Sequence, residues 1–236
     1  MIENDKNQKD NMNPKLIDSF EIDYIFDSKP INRIKNKPTI ENTNSKLNAL
    51  KEKINNINNC DLKNNGKQIV FNDGNSKSPV MVVGEGPGQK EDELGKPFVG
   101  DAGQLLNKML AAIHLDRDSV YITNVLPWRP PNNRTPSNKE IIECLPFLQK
   151  HIEIVNPSLI ILLGATAAKT VLATTHSISK LRGSWHNYMN LTINKPILTR
   201  ATYHPAFLLR SPKNKRETWD DLKEIQKKIN NLDEKI

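Results

Sequence analysis

The sequence predicts an α/β protein, a three-layer α/β/α sandwich around a central, mostly parallel sheet of four strands. From residue 79 onward, four short apolar runs alternate with helical stripes, and two of those runs end at glycine. Central strands of parallel sheets read as continuous aliphatic runs, and their alternation with helices is typical of a sheet covered on both faces. Such sheets bind ligands at the carboxyl ends of their strands.

The predicted elements follow one another in a regular order. The strands cover residues 80–83, 120–125, 159–163 and 196–202. Apolar side chains recur at helical spacing in four stretches, which begin near residues 101, 137, 165 and 219. Asp101 is expected to cap the first of these helices, and Ser137 with Glu140 forms a capping box that opens the second.

The N-terminal part differs in composition from the rest. Residues 1–78 contain 17 asparagines and no long apolar stripe, and so little apolar surface does not offset the entropy lost on ordering. We therefore expect residues 1–59 to form a low-complexity, largely mobile extension, apart from a helical turn or two near residues 49–57. The folded domain is predicted to span residues 60–232.

Composition narrows the class of protein. Lys and Arg number 34 against 27 Asp and Glu, and the net charge of +7 fits a polyanionic partner. No apolar run approaches the roughly 20 residues that span a bilayer, so no membrane association and a soluble protein are expected. Two cysteines are too few for a disulfide framework, which favours a reducing, cytoplasmic setting. A monomer is the simplest expectation for the assembly.

The loop after the first strand carries alternating glycines, in the order Gly84-Glu85-Gly86-Pro87-Gly88. Such glycines allow a sharp turn and a close approach to a ligand. The spacing does not match the G-x-G-x-x-G fingerprint of dinucleotide-binding folds, and Glu85 would place a negative charge where a pyrophosphate binds. A dinucleotide site is therefore not predicted.

Further segments in register with this loop narrow the interpretation. They are the continuation of the loop through Gln89-Lys90-Glu91-Asp92, then Gly95-Lys96-Pro97-Phe98-Val99-Gly100, then Asn124 at a strand end, then Tyr203-His204-Pro205-Ala206-Phe207-Leu208-Leu209-Arg210. Together they resemble the uracil-DNA glycosylases of family 4, over about residues 60–229. The resemblance implies a monofunctional enzyme of base-excision repair, which hydrolyses the N-glycosidic bond of flipped-out deoxyuridine in DNA, releases uracil and leaves an abasic site.

The resemblance assigns roles to the motif residues. Phe98 is expected to stack on the extruded base, and Asn124 to pair with uracil N3–H and O4 while rejecting cytosine. His204 is expected to donate a hydrogen bond to uracil O2. Glu85 is expected either to act on the attacking water or to stabilise the cationic sugar. The backbone amides of Gly86 and Gly88 are expected to contact either the base or the adjoining phosphates.

Other assignments leave alternatives open. Glu91 either lies near the base, where it would crowd the C5 methyl group of thymine, or is a solvent-facing loop acid. Leu208 and Leu209, with Arg210 behind them, are expected to fill the gap left in the duplex, with the alternative that one of the two leucines packs inward. Four basic residues are expected to bind DNA phosphates, although a solvated loop would carry the same charges: Arg210, Lys213, Lys215 and Arg216.

The chain departs from the family in its cysteines. Most members of family 4 carry a four-cysteine iron–sulfur cluster. Here Cys60 and Cys144 match two ligand positions as remnants of that motif, while Ile57 and Trp128 occupy the other two. Two thiolates cannot hold a cluster that requires four. No cofactor and no metal are therefore predicted.

Three functions remain open from the sequence. The first is a uracil-DNA glycosylase. The second is a protein that binds uracil-containing or abasic DNA without turnover, although the basic insertion of such relatives is not evident between Arg182 and His204. The third is a glycosylase of the same fold with broader specificity for deaminated bases.

Overall fold

Parallel strands form the centre of the molecule, as the four apolar runs predicted. The computed structural model describes residues 42–58 and 60–233. Within these ranges the strands are β1 (Asp73–Gly74), β2 (Val80–Gly84), β3 (Tyr121–Asn124), β4 (Leu159–Leu163), β5 (Trp185–Tyr188) and β6 (Ile197–Thr202). They form one sheet in the order β1-β3-β2-β4-β6-β5. The four central strands β3, β2, β4 and β6 are parallel to one another.

The sheet has two more strands than the four predicted. β1 pairs with β3 and β5 with β6, both antiparallel, so the sheet is mixed. Neither edge strand has the apolar pattern of the others, because β1 is an Asp-Gly pair and β5 reads Trp-His-Asn-Tyr with only Tyr188 buried. A strand at a sheet edge packs against fewer neighbours, so burial leaves a weaker pattern in its sequence.

Helices cover both faces of the sheet. They are α1 (Thr43–Asn55), α2 (Asp61–Asn65), α3 (Gln89–Leu94), α4 (Asp101–Ala111), α5 (Asn138–Val155), α6 (Ala165–Val171), α7 (Ile178–Leu181), α8 (Pro205–Arg210) and α9 (Lys215–Asp233). The capping box predicted for α5 is present, and the Glu140 carboxylate accepts from the Ser137 amide at 2.8 Å. Gly100, rather than Asp101, occupies the cap of α4. No helix in the described part of the chain has the length and apolar character needed to cross a membrane.

The two faces of β2 show how the three layers are held together. Met81 and Val83 belong to a first core that also contains residues of α1, α5 and α6. Val80 and Val82 belong to a second core with residues of α4, α8 and α9. Successive side chains of a strand point to opposite faces, so each of the four central strands contributes to both cores. This is the predicted three-layer sandwich.

The folded region begins earlier than the boundary predicted at Cys60. Leu47, Leu50 and Ile54 of α1 lie at helical spacing and are buried in the first core, where α1 packs against α5. A short helix with three apolar residues is marginal by itself, and α5 supplies the packing that stabilises it. The mobility predicted for residues 1–41 concerns a stretch outside the described residues.

Candidate active site

Segments that carry the predicted site residues meet where the parallel strands end. Glu85 follows β2, Asn124 is the last residue of β3, Gly164 follows β4, and His204 lies two residues after β6. They line a cleft of about 890 Å³. All of the predicted catalytic and substrate-binding residues line it: Glu85, Gly86, Glu91, Phe98, Asn124 and His204. The fold therefore brings together the residues that were predicted to form one site.

Phe98 forms one wall of the cleft. The residue is 6% exposed, and its ring lies 5.6 Å from the His204 ring with 29° between the two planes. A Cβ atom on Gly84 would overlap both the Phe98 ring and the Asn124 amide oxygen. Gly84 therefore allows the aromatic wall and the amide to approach each other at the end of β2.

Asn124 has an open hydrogen-bonding position. The residue is 6% exposed, and no group among the described residues donates a hydrogen bond to its buried Oδ1 atom. A buried polar atom without a partner is costly until a ligand satisfies it. Beside an aromatic wall, this oxygen suits a planar ligand with an N–H donor, and the adjacent amide nitrogen suits an acceptor next to that donor.

The His204 ring has a fixed proton position. The residue caps α8, and its Nδ1 atom accepts a hydrogen bond from the Ala206 amide at 3.1 Å. Because Nδ1 is an acceptor, the hydrogen of the neutral ring is on Nε2, which makes that atom a donor. Burial, with a further contribution from the Arg210 charge, lowers the pKa of His204 to about 4, so the ring is neutral near pH 7. Gly164, at φ 91°, leaves room for the ring.

Glu85 is held by a residue from the neighbouring strand's loop. Thr166, in the first turn of α6, donates its hydroxyl hydrogen to the Glu85 carboxylate. α6 follows β4, so this bond connects the ends of two strands that pair side by side. The bond engages Oε2, and within the described part of the chain the structure shows no hydrogen bond to Oε1. Oε1 is therefore available to water or to a ligand.

Glu91 joins two loops of the site. Its carboxylate accepts hydrogen bonds from the backbone amides of Gly88 at 3.1 Å, Val99 at 2.8 Å and Gly100 at 2.7 Å. These bonds connect the glycine loop after β2 to the segment that carries Phe98. Both carboxylate oxygens are engaged by backbone amides, although the residue is only half-buried and lines the cleft. The expected contact with a thymine methyl group stays a prediction.

Leu208 is not available to enter a DNA duplex. It is 1% exposed and belongs to the second core, where α8 packs against α4, whereas Leu209 is 44% exposed. Successive residues of a helix point about 100° apart, so only one of the two leucines can face that core. The prediction for Leu208 is therefore wrong, and the alternative in which one leucine packs inward is correct.

The four basic residues predicted to bind phosphates are exposed near the cleft. Arg210 and Lys213 line it, and Lys215 and Arg216 begin α9 just beyond. None of the four forms a salt bridge with another described residue. Their charges are therefore available to a ligand.

Two side chains that hold the site in place were missed from the sequence. Thr166 is one, and the Gly-Ala-Thr order after an apolar strand is a signal for it, because such residues lie at the carboxyl edge of the sheet. Arg117 is the other, and it donates to the carbonyl oxygens of Pro97 and Phe98 at 2.7 and 2.9 Å. Arg117 lies in a polar loop 19 residues after Phe98, and no sequence pattern there marks it as a residue of the site.

The residues at the remnant cluster positions do not fit an iron–sulfur group. Cys60 and Cys144 are buried free thiols, and two thiols are too few for a cluster that requires four thiolate ligands. Trp128, which is 2% exposed, lies in the first core together with both cysteines, and Ile57 packs against that core. In the described ranges, no three His, Cys, Asp or Glu side chains are grouped to hold a metal ion.

Comparison with protein families agrees with this geometry. The family model of the uracil DNA glycosylase superfamily matches residues 71–223. The matched stretch contains all of the residues that line the cleft. The chain therefore belongs to the uracil-DNA glycosylase superfamily.

Relatives within that superfamily confirm the resemblance that the motifs indicated. The type-4 uracil-DNA glycosylase of Sulfurisphaera tokodaii is 39% identical over 185 residues, which cover 76% of this chain and 83% of that protein. The type-4 enzyme of Pyrobaculum aerophilum is 41% identical over 180 residues, or 75% and 91% of the two chains. That of Thermotoga maritima is 40% identical over 169 residues, or 71% and 85%.

Proposed function

We propose that this chain is a monofunctional uracil-DNA glycosylase of base-excision repair, which hydrolyses the N-glycosidic bond of extruded deoxyuridine, releases uracil and leaves an abasic site. The observation that carries the proposal is the convergence of Phe98, Asn124 and His204 around one cleft, with Glu85 beside them. A stacking wall, an amide edge, an N–H donor and a carboxylate are the groups that this reaction requires.

Recognition of the base rests on Asn124. Uracil presents its N3–H donor beside the O4 acceptor, so the unpartnered Oδ1 atom accepts from the first and the amide nitrogen donates to the second. Cytosine presents an unprotonated N3 and an amino group at the same edge, which opposes both contacts. Phe98 stacks on either base and adds affinity without discrimination.

His204 stabilises the departing base. As the bond between N1 and C1′ breaks, its electron pair moves to uracil and negative charge develops on O2. The Nε2–H group donates a hydrogen bond to that oxygen. Because the Ala206 amide already fixes the ring and its tautomer, this donation needs no reorganisation during the reaction.

Glu85 acts on the sugar side of the bond. Water adds its oxygen to C1′ and loses one proton, while the uracil anion leaves and is later protonated by solvent. The Glu85 carboxylate either accepts the proton of that water or offsets the positive charge of the sugar. The Thr166 hydroxyl keeps the carboxylate in place for both roles.

DNA binds along the side of the cleft that carries Leu209 and the basic residues. Extrusion of a nucleotide costs roughly a few kcal/mol in lost stacking and pairing, and an exposed leucine can fill the resulting gap. Phosphates bind the available cations near the cleft mouth. Lys215 and Arg216 lie at the N-terminus of α9, where cations oppose the helix dipole, and a bound phosphate offsets that cost.

The proposal includes no cofactor. Apolar packing in the first core, which contains Trp128 and both remnant cysteines and against which Ile57 packs, takes the structural place of a cluster. Assay of iron and acid-labile sulfide in the protein purified without oxygen tests this, and neither should be present in stoichiometric amount. A full complement of both would contradict it.

We further propose that the protein acts as a monomer in the cytoplasm. The groups that the proposed reaction requires are all supplied by one chain, through Glu85, Phe98, Asn124 and His204. Both cysteines are free thiols, which suits a reducing compartment.

The experiment that tests the function uses single- and double-stranded oligonucleotides that carry one uracil. The protein should release free uracil and leave an alkali-labile site, while matched oligonucleotides with cytosine or thymine stay intact. Retention of the uracil-containing strand without release would contradict turnover and favour a binding protein. Release of hypoxanthine from a matched strand would contradict strict uracil specificity.

The E85A variant separates chemistry from binding. It should slow uracil release by a factor of about 100 or more, because a positioned acid–base group contributes factors of this size. Its affinity for uracil-containing DNA should stay close to that of the wild type. Equal loss of rate and affinity would contradict the role given to Glu85.

A further inference from the structure

Phe98 lies in a turn that its own sequence does not stabilise. Its φ angle is 55°, in the left-handed region that bulky residues rarely adopt. Such a conformation persists only where surrounding contacts fix it. The turn of residues 97–100 must therefore be held by groups outside it.

Two side chains hold this turn from opposite sides. The carbonyl oxygens of Pro97 and Phe98 accept from the Arg117 guanidinium at 2.7 and 2.9 Å. The amides of the next two residues donate to the Glu91 carboxylate at 2.8 and 2.7 Å. A Cβ atom on Gly103 would overlap the Phe98 carbonyl group, so this glycine leaves room for the turn. The peptide groups on both sides of Phe98 are thereby fixed.

Arg117 engages all of its N–H groups. Besides the two carbonyl oxygens, it donates to the Asn107 side chain at 3.2 Å and contacts Asp73 from Nε at 2.8 Å and from Nη2 at 2.6 Å. These contacts match the five N–H groups of a guanidinium. The Arg117 side chain is 22% exposed. Lysine has no planar fork and cannot reproduce this set of contacts.

The short edge strand β1 places the counter-ion of Arg117. Asp73 is its first residue, and the pairing of β1 with β3 fixes where that carboxylate lies. Gly74 follows at φ 85°, and a Cβ atom there would lie 2.5 Å from the Arg117 carbonyl oxygen. The glycine therefore allows β1 to approach the loop that carries Arg117.

We propose that Arg117, with Asp73 as its counter-ion, is a positioning residue that sets the Phe98 ring at the angle needed to stack on an extruded base. This inference rests on the proposed function, because Phe98 is the wall of the same cleft. Arg117 does not line the cleft. It acts only through the backbone of residues 97 and 98.

The kinetic test compares R117A and R117K with the wild type under single-turnover conditions. R117A should release uracil about 100-fold more slowly, since a displacement of about 1 Å in a positioning group has effects of this size. Its dissociation constant for free uracil should rise about tenfold through lost stacking. R117K should resemble R117A, and guanidinium ion at low millimolar concentration should restore part of the R117A rate.

Control measurements separate positioning from general destabilisation. I152V, in the first core on the other face of the sheet, provides a control with a lowered Tm and an intact turn. The proposal would be overturned if R117A released uracil at the wild-type rate. It would also be overturned if I152V and R117A lost the same Tm and the same rate, because the rate loss would then follow from destabilisation alone.

A readout that does not depend on catalysis keeps the two proposals distinguishable. Amide hydrogen exchange at Val99 and Gly100 should accelerate in R117A and stay unchanged in I152V. Unchanged exchange in R117A would overturn the positioning role. Absence of uracil release by the wild-type chain would instead contradict the proposed function. The exchange rates of the Val99 and Gly100 amides would then still show whether Arg117 holds the turn.

Discussion

The hydroxyl group of Thr166 donates its hydrogen to the carboxylate of Glu85 and so connects the first turn of α6, after β4, to the loop that follows β2. A carboxylate that acts on water or on a cationic sugar must be held at a defined position. Thr166 is therefore a positioning residue for Glu85, and it reaches the site from the first turn of α6, outside the segments on which the sequence resemblance rests.

Replacement of Thr166 tests this contact. T166V keeps the shape of the side chain and removes the hydroxyl, so the rate of uracil release should fall about 10- to 100-fold, the loss expected for one hydrogen bond to a charged group. T166S retains a hydroxyl and should stay within about threefold of the wild type. Single-turnover rates measure both variants, and a wild-type rate in T166V would exclude the role.

Gly84 gives a second prediction, about the space between Phe98 and Asn124. The added methyl group of G84A would overlap both side chains, and uracil release should fall about 100-fold although no polar group is removed. G66A is the matched control, since its methyl group would lie 3.3 Å from Trp128, away from the cleft. Activity in G84A equal to that in G66A would show that the close approach is not needed.

The two adjacent leucines of α8 should behave differently. L208A removes a buried side chain and should lower the free energy of unfolding by about 2–5 kcal/mol. L209A should change the free energy of unfolding by less than about 0.5 kcal/mol. It should slow uracil release from duplex DNA more than from single strands, because only a duplex has a gap to fill. Urea unfolding and parallel rate measurements on the two substrates separate these effects, and an equal slowing on both would argue against Leu209.

His151 predicts how stability depends on pH. Burial lowers the pKa of its ring to about 3, and the ring pairs with the Tyr121 hydroxyl at 2.8 Å. In the unfolded chain His151 binds a proton near pH 6.5, whereas in the folded chain it does so only near pH 3. The free energy of unfolding therefore falls as the pH is lowered from about 6.5 to about 3. The loss is up to about 1.4 kcal/mol per pH unit. His204 adds a loss of the same sign down to about pH 4.

The matched variant for this prediction is H151F, which keeps a ring beside Phe71 and removes the titrating group. Urea unfolding between pH 7 and pH 4 should show a shallower loss of stability in H151F than in the wild type. Parallel curves for the two proteins would show that His151 does not contribute to the pH dependence.

Much of the fold is predictable from the sequence because burial leaves a pattern. Buried aliphatic residues mark the four central strands, which end at the cleft, so their positions and the capping box of Ser137 and Glu140 follow from local signals. The edge strands and α1 do not follow from such signals. Their stability comes from partners distant in the chain, and α1 has three buried residues whose partner is α5.

The site divides in the same way. Glu85, Phe98, Asn124 and His204 lie in motifs that the sequence displays. Arg117 acts through contacts with residues 10 to 44 positions away in the chain, and no local pattern marks such pairs. The choice between Leu208 and Leu209 depends on which face of a six-residue helix meets α4, a matter of tertiary packing.

The most direct measurement is the crystal structure of the E85A variant bound to single-stranded DNA that carries one uracil. We expect an extruded base stacked on Phe98, with N3 and O4 within hydrogen-bond distance of the Asn124 amide and O2 facing Nε2 of His204. A uracil that remains stacked in the strand, or that binds outside this cleft, would contradict it.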